Sequence, residues 1–343
     1  MSINSSQSVS VFPDILAQWP WKATINPVSG LQSKAESTAW ILSLDAFTPS
    51  MQQAFERTNN HLLSSLAYPK EDKDVFRVGC DLMNWFFLFN ESIGMAAPHE
   101  AQEIANIVMD AIHNPDKPRT AEENAIGEAT RQFWKLSSQH ASTGARHRFI
   151  EAMDQFTAAT AQQAQERSRY VIKNVDEYFL FRRNAIGAKP AFEVLDFALN
   201  LPDKVFEDPV IQRLSDVCVD LIIIIEDLYH VEQASDIKGP NNLVTILTDH
   251  ENLDLPEAMQ WIDKHASKLV RNFLDDFNRM PSFGEELKFD VACYVNGMAN
   301  WVRALDRWKI ENVLYKKYED KLLEITKREF SRSMSKIDEL AEE

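Results

Sequence analysis

Nine glycines in 343 residues, and few stretches that alternate apolar with polar side chains, leave little from which to build sheets and tight turns. An all-α chain is expected instead. Cysteine is equally scarce. Cys80, Cys218 and Cys293 are odd in number and far apart, which argues against a disulfide framework and for a reducing, cytoplasmic compartment. No apolar run approaches the roughly 18 residues that a membrane span needs. Even Ile222–Ile225 is closed off by Asp220 and Glu226, so stable membrane insertion is not expected. The opening MSINSSQSVSVF lacks a basic segment followed by an apolar one, and reads as no secretory signal. Basic residues are outnumbered, 36 against 52 acidic, for a formal charge of −16. Nucleic acid and anionic membrane are therefore not expected as partners. An anionic substrate would need a local cationic clamp or a bound metal to offset that field.

What the chain does have is greasy mass. Apolar residues make up 45%, with 20 Phe and 8 Trp, ample for a large core. Residues 1–30 are rich in Ser, Pro and Asn and read as an irregular N-terminal arm, followed by a helical domain over 31–343. Helices are expected over 33–44, 48–66, 72–90, 98–114, 120–139, 143–173, 175–184, 190–200, 208–234, 255–280, 285–307 and 318–342. The second begins with Thr48 and Pro49, a good cap and first-turn pair. No internal repeat and no long linker divides the chain, so one domain is the simplest reading.

The stretch Leu221–Ala234, LIIIIEDLYHVEQA, is the organising feature. An apolar run climbs straight into Glu226, Asp227, His230 and Glu232. On one helix Glu226 and His230 are i, i+4 and share a face. Such a helix places carboxylates at the mouth of an oily pocket, where a helix needing only solubility would put them on the opposite face.

Three other stretches make comparable rims. Asn90 and Glu91 end the aromatic helix CDLMNWFFLFNE, which contains Trp85, Phe86, Phe87 and Phe89. They are either the polar end of a core helix or an oxygen-ligand pair for Mg²⁺. In FRRNAIG (181–187), adjacent arginines are usually solvated. Here they lie between an aromatic helix and the Gly187 break, where Arg183 can point inward and grip a phosphate. In WVRALDRWKIENVLYKKY (301–318), Trp301, Leu305 and Trp308 recur at i, i+4, i+7, with Lys309 and Tyr315 beyond them. That stripe is either core or the wall of a site for a carbocation and its anionic leaving group.

Taken in order, these stretches resemble a class I terpene cyclase of the fungal sesquiterpene synthase type. RVGCDLMNWFFLFNE (77–91) is similar to the family's Arg-x-x-Cys-Asp-x-Met-Asn helix, which runs into its aspartate-rich metal motif. VDEYFLFRRNAIGAKPAF (175–192) resembles the segment bearing the diphosphate-sensing arginine, implying Arg183 as sensor and Gly187 as the carbonyl-presenting kink. EDLYHVEQA (226–234) stands in the place of Asn-Asp-x-x-Ser-x-x-x-Glu, and NGMANWVRALDRWKIENVLY (296–315) resembles the last helix with its Arg-Tyr pair. The likeness covers roughly residues 70–320. The departures are specific: Asn90, Glu91 and Gly94 where the family has Asp-Glu-x-x-Asp, and Glu226 for Asn, His230 for Ser and Ala234 for Glu. Leu314-Tyr315 replaces Arg-Tyr, and Lys309 follows Trp308. A gained carboxylate and a gained cation point to a rebuilt site, in a pattern most like the humulene-forming cyclases of tropolone sesquiterpenoid pathways.

The resemblance implies a single-domain helical bundle around a deep apolar cavity, acting on farnesyl diphosphate as a monomer or homodimer. Two or three Mg²⁺ ions would be held by some of Glu226, His230, Asn90, Glu91 and Asp227. Arg183, Lys309 and Tyr315 would hold the diphosphate, and Phe86, Phe87, Gly187, Trp301, Leu305 and Trp308 the farnesyl chain. The implied product is humulene, from an eleven-membered ring. Three alternatives stand beside this: a cyclase for another prenyl chain or giving another sesquiterpene skeleton, a non-catalytic prenyl-diphosphate-binding helical protein, and a helical interaction protein with the acidic surface and the charged helix over 318–342 as its contact region.

Overall fold

The computed structural model describes residues 12–312, apart from 29, 95, 119, 121–122, 172 and 234–241. No strand occurs among them. The expected helix over 318–342, Leu314-Tyr315 and Ala234 lie outside the described residues.

The helices run α1 (Leu31–Leu42), α2 (Pro49–Thr58), α3 (Asn60–Ala67), α4 (Lys73–Ile93), α5 (Pro98–His113) and α6 (Ala125–Ser137). They continue as α7 (Thr143–Arg169), α8 (Val175–Ala185), α9 (Ala188–Asp196), the short α10 (Asp203–Phe206) and α11 (Pro209–Gln233). After the single turn α12 (Leu243–Thr245) come α13 (Leu255–Asn278) and α14 over 288–312. Their starts follow from local chemistry. Thr48 Oγ1 accepts from the Met51 amide ahead of α2, Asp72 accepts from two amides at the start of α4, and Asn174 with Glu177 forms a reciprocal cap on α8.

The expected helix over 48–66 is in fact two. Asn59 adopts a left-handed conformation (φ 51°) and breaks α2 from α3. Asparagine tolerates that region better than most residues, and the break is pinned from outside. Trp308 Nε1 donates to the carbonyls of Thr58 and Asn59, at 3.0 and 3.1 Å, and Asn312 Nδ2 to that of Thr58 at 3.0 Å.

Helix α4 is buried on most of its circumference and packs against α1, α3, α6 and α9. Trp85 is fully buried, stacks on Phe89 at 5.0 Å and donates its indole N–H to Thr130 Oγ1 at 2.9 Å. That bond satisfies the one polar atom that so large a core side chain brings inside. Leu221–Ile225 of α11 is also buried, between α8 and α13. The described residues ahead of α1 form no helix and are firmly docked. Trp19 and Trp21 pack on Phe273 of α13 and donate to Ala299 and Asn296 of α14, while Arg303 donates to the carbonyls of Leu16, Trp19 and Trp21. This wrap fixes α14, the helix that carries Trp301, Leu305, Trp308 and Lys309.

Candidate active site

A cavity of about 440 Å³ opens where the C-terminal ends of α4 and α11 meet α14. Its depth is apolar: Leu63 of α3, Met83, Phe86 and Phe87 of α4, Phe156 of α7 and Ile222 of α11 line it, with Trp301, Leu305 and Trp308 of α14. The residues expected to form the wall thus come together from two distant segments. Phe86 meets Phe156 edge to face at 5.4 Å, and Phe87 meets Phe55 at 5.2 Å, so the rings are held in fixed orientations. Gly187 separates α8 from α9 with φ +79° and also lines the cavity. A Cβ there would stand 3.1 Å from the Phe86 ring, so glycine is needed both for the backbone angle and for the ring's approach.

The rim is polar. Asn90 and Glu91, exposed at the end of α4, line it with Arg182, Glu226, His230 and Lys309. Lys309 Nζ donates to Glu226 Oε2 at 2.7 Å, the two side chains being 15% and 18% exposed. The same ammonium lies 5.0 Å from the Trp308 ring centre. Burial by itself would raise the Glu226 carboxyl, but the Lys309 ammonium outweighs it and holds the group below the usual carboxylate range.

Two expected ligands are disposed otherwise. His230 projects to solvent at 67% exposure, and its Nδ1–H donates to the Glu226 carbonyl at 2.8 Å, one turn back along its own helix. Asp227 is 2% exposed and absent from the cavity lining. Its Oδ2 accepts from the Tyr178 hydroxyl at 2.6 Å and from the Leu243 amide at 2.8 Å. Those bonds tie α8 and the start of α12 to α11.

The two adjacent arginines face different ways. Arg183, the expected sensor, turns away from the cavity. Its Nε and Nη2 donate to the two oxygens of Asp220 at 2.8 Å each, and Nη1 donates to Asp216 at 2.7 Å, a fork that clamps α8 to α11. Arg182 lines the cavity instead, with its Nε buried and without a hydrogen-bond partner. The signal was present in the sequence. Tyr178, Arg182 and Ala185 stand at i, i+4, i+7, and Tyr178 and Ala185 are buried, so this face of α8 looks inward and Arg183 lies a hundred degrees round from Arg182.

A divalent ion suits part of this rim. The Asn90 amide and the Glu91 and Glu226 carboxylates are hard oxygen donors of the kind Mg²⁺ takes, and Glu226 is held ionised. Among the described residues no three His, Cys, Asp or Glu side chains converge on one point. The donors stand on two helices, Asn90 and Glu91 on α4 and Glu226 on α11, so an ion at this rim would draw further oxygens from a bound anion or from water. His230, with Nδ1 already engaged, is a poor member of such a set.

Comparison with known proteins bears on the same elements. The family model described as terpene synthase family 2, C-terminal metal binding, matches residues 81–272. A Δ6-protoilludene synthase of Stereum hirsutum is 42% identical over 306 residues, covering 88% of this chain and 82% of that protein. One from Armillaria gallica is 41% identical over 305 residues, covering 88% of each. Sesquiterpene synthase 9 of Postia placenta is 37% identical over 305 residues, again covering 88% of each. Among solved structures, germacradien-4-ol synthase from Streptomyces citricolor superposes with a TM-score of 0.73 at 18% identity, covering 84% of this chain and 96% of that one. A cucumene synthase variant superposes with a TM-score of 0.76 at 20% identity, covering 86% and 99%. At those identities the structural likeness establishes the all-helical fold.

Proposed function

We propose, for a chain that belongs to terpene synthase family 2 and is a fungal-type class I sesquiterpene cyclase, that it ionises farnesyl diphosphate and closes the farnesyl cation through an eleven-membered ring. One observation carries this reading. A single cavity joins an aromatic-walled interior of the size that holds a small-molecule ligand to a rim bearing Arg182, Lys309, Glu226, Asn90 and Glu91.

In this reading Arg182 and Lys309 bind the diphosphate and stabilise the charge that develops on it as the allylic C–O bond breaks. Arg182 takes the sensing role in place of Arg183. Its unpartnered Nε is a donor already desolvated and available to an anion. Asn90, Glu91 and Glu226 would hold Mg²⁺, which when bound supplies Lewis-acid neutralisation of the leaving group. Phe86, Phe87, Phe156, Trp301 and Trp308 keep the interior dry and offer ring faces to the moving positive charge.

Closure of C1 onto the distal double bond gives the eleven-membered cation. Loss of a proton at that stage would yield humulene. The relatives at 42% and 41% identity are named Δ6-protoilludene synthases, which favours further ring closure before the proton leaves. We therefore assign a tricyclic protoilludene-type hydrocarbon as the main product and humulene as the minor product of early release.

Incubation of the purified protein with farnesyl diphosphate, with and without Mg²⁺, followed by gas chromatography–mass spectrometry, tests this. The expected result is a dominant tricyclic hydrocarbon that disappears on adding EDTA. A dominant monocyclic product would overturn the skeleton assignment, and undiminished product in EDTA the metal assignment.

A further inference from the structure

We propose that Asn60 is the partition that keeps water out of the cyclisation cavity, and so decides whether this enzyme releases a hydrocarbon or an alcohol. The inference rests on the cyclase reading above. Behind the cavity wall lies a second hollow of about 170 Å³, room for several water molecules at roughly 30 Å³ each. Its outer end is formed by the exposed Lys34 and Glu56, and its inner end includes Ser37, Cys80 and Asn84. Among the described residues, Asn60 alone lines both this hollow and the 440 Å³ cavity.

The partition is a hydrogen-bonded seam. Asn60, 7% exposed, donates through Nδ2 to Asn84 Oδ1 at 3.3 Å, and Asn84 Nδ2 donates to Ser37 Oγ at 2.8 Å. A buried carboxamide is costly unless bonded in this way, and an apolar side chain would pack the same wall without that requirement. The seam is thus a polar closure between the apolar interior of the cavity and a hollow that reaches the surface at Lys34 and Glu56. It is held at fixed depth. Asn60 begins α3 directly after the Asn59 break, which Trp308 pins, and Asn84 lies six residues before Asn90, about 9 Å down α4 from the rim. Water admitted there would enter among the isoprenoid carbons, away from the diphosphate.

The consequence is a change of product class. A lone pair of the entering water forms a C–O bond to the cationic carbon, and the resulting oxonium loses its proton to bulk water. The C₁₅H₂₅⁺ cation becomes a C₁₅H₂₅OH alcohol, with no oxidation or reduction. With the seam intact, the same cation loses a proton and leaves as C₁₅H₂₄.

The test is turnover of farnesyl diphosphate in H₂¹⁸O by wild type, Asn60→Ala, Asn60→Ser and Asn60→Leu, with products read by mass spectrometry and folding by thermal melting. Asn60→Ala and Asn60→Ser are expected to raise the ¹⁸O-labelled alcohol fraction by about tenfold or more over wild type, once the cavity is no longer dry. Asn60→Leu, which refills the wall, is expected to give no labelled alcohol. Hydrocarbon alone from folded Asn60→Ala and Asn60→Ser would overturn the proposal. A crystal structure of Asn60→Ala decides it independently of turnover: ordered water running from the hollow into the cavity supports the partition, and a dry cavity overturns it. Absence of any product from wild type would overturn the substrate assignment instead, and the crystallographic result would still decide the role of Asn60.

Discussion

Replacing Lys309 by Met keeps the aliphatic stem and deletes the ammonium that neutralises Glu226. The pair is 2.7 Å apart with side chains only 15% and 18% exposed, so the carboxylate left behind has little water to turn to. Breaking a buried pair by removing one partner costs about 3–5 kcal/mol, and the residual exposure at the rim places this one near 3. Against the roughly 5–15 kcal/mol that holds a typical domain folded, that is a large fraction. The cost should also depend on pH in a defined direction. In wild type, Lys309 holds the folded pKa of Glu226 below its unfolded value of about 4.3. The stabilisation it contributes is present above that value and is lost as pH falls through the folded pKa. In Lys309→Met, burial without a counter-ion pushes the folded pKa above the unfolded one. The contribution is then present in acid and is lost as pH rises through the raised value. The difference in unfolding free energy between variant and wild type should accordingly be small near pH 4 and reach about 3 kcal/mol near neutrality. Urea denaturation across that range measures it, and turnover at neutral pH should fall by about 100-fold as one cationic contact to the leaving group is lost. A penalty that is the same at both ends of the pH range would refute the reasoning, because it would mean that packing rather than charge makes Lys309 matter.

The neighbouring arginines should separate in kcat. Arg182→Met is expected to lower kcat by about 100-fold, with some loss of stability as well because its guanidinium faces the buried Asp227. Arg183→Met should keep kcat within a few fold but lose about 2–3 kcal/mol, since it strands the buried Asp220. Steady-state kinetics with urea melts reads both, and the reverse pattern would return the sensing role to Arg183. Gly187→Ala forces a Cβ into a φ of +79° and against Phe86, for a loss of about 1–2 kcal/mol with a shifted product ratio. A wild-type melting curve and product profile would remove that constraint. Leu305→Phe and Leu305→Met should change the product ratio more than the rate, and an identical profile in both would show that Leu305 does not touch the reacting chain.

The helical class, the order of the elements and the aromatic wall were all readable from residue type and spacing. Trp301, Leu305 and Trp308 share one face of α14 and line the cavity together, as their i, i+4, i+7 recurrence requires. The direction in which a charged side chain of a motif points is not legible in the sequence. His230 stays at the rim, with its Nδ1–H on the helix carbonyl of Glu226. Arg183 and Asp227 each sit where a motif would put a functional group, and each is held outside the cavity lining by partners that a linear reading does not pair with it: Asp220, and Tyr178 with Leu243. Such partners are set by which helices pack together, and α8 meets α11 across some forty residues of sequence. The break at Asn59 was hidden for a related reason. The sequence from Thr48 to Leu66 suits a helix throughout, and a tertiary clamp from Trp308 and Asn312 accompanies the αL turn.

The charge at the rim bears on why the proposed reaction would need a metal. Arg182 and Lys309 bring two positive charges, and Glu91 and Glu226 bring two negative ones, so the described rim is close to neutral before substrate arrives. The chain as a whole carries −16. A diphosphate entering there meets no surplus of protein cations. Its approach along the rim also competes with Glu226 for Lys309, because one ammonium at 2.7 Å from a carboxylate is already spent. A divalent cation entering with the diphosphate would answer both needs. It would add the missing positive charge, and Glu226 would be a carboxylate able to hold it if Lys309 turned to the phosphate oxygens. On this view the lysine and the metal would share one carboxylate, and Glu226 and Lys309 would act as a unit. Swapping the pair, Glu226→Lys with Lys309→Glu, would keep the rim's net charge but move the carboxylate to α14. If Glu226 serves only to anchor Lys309, the swapped protein should retain activity. If it is also the metal's carboxylate, activity should be lost with the fold intact.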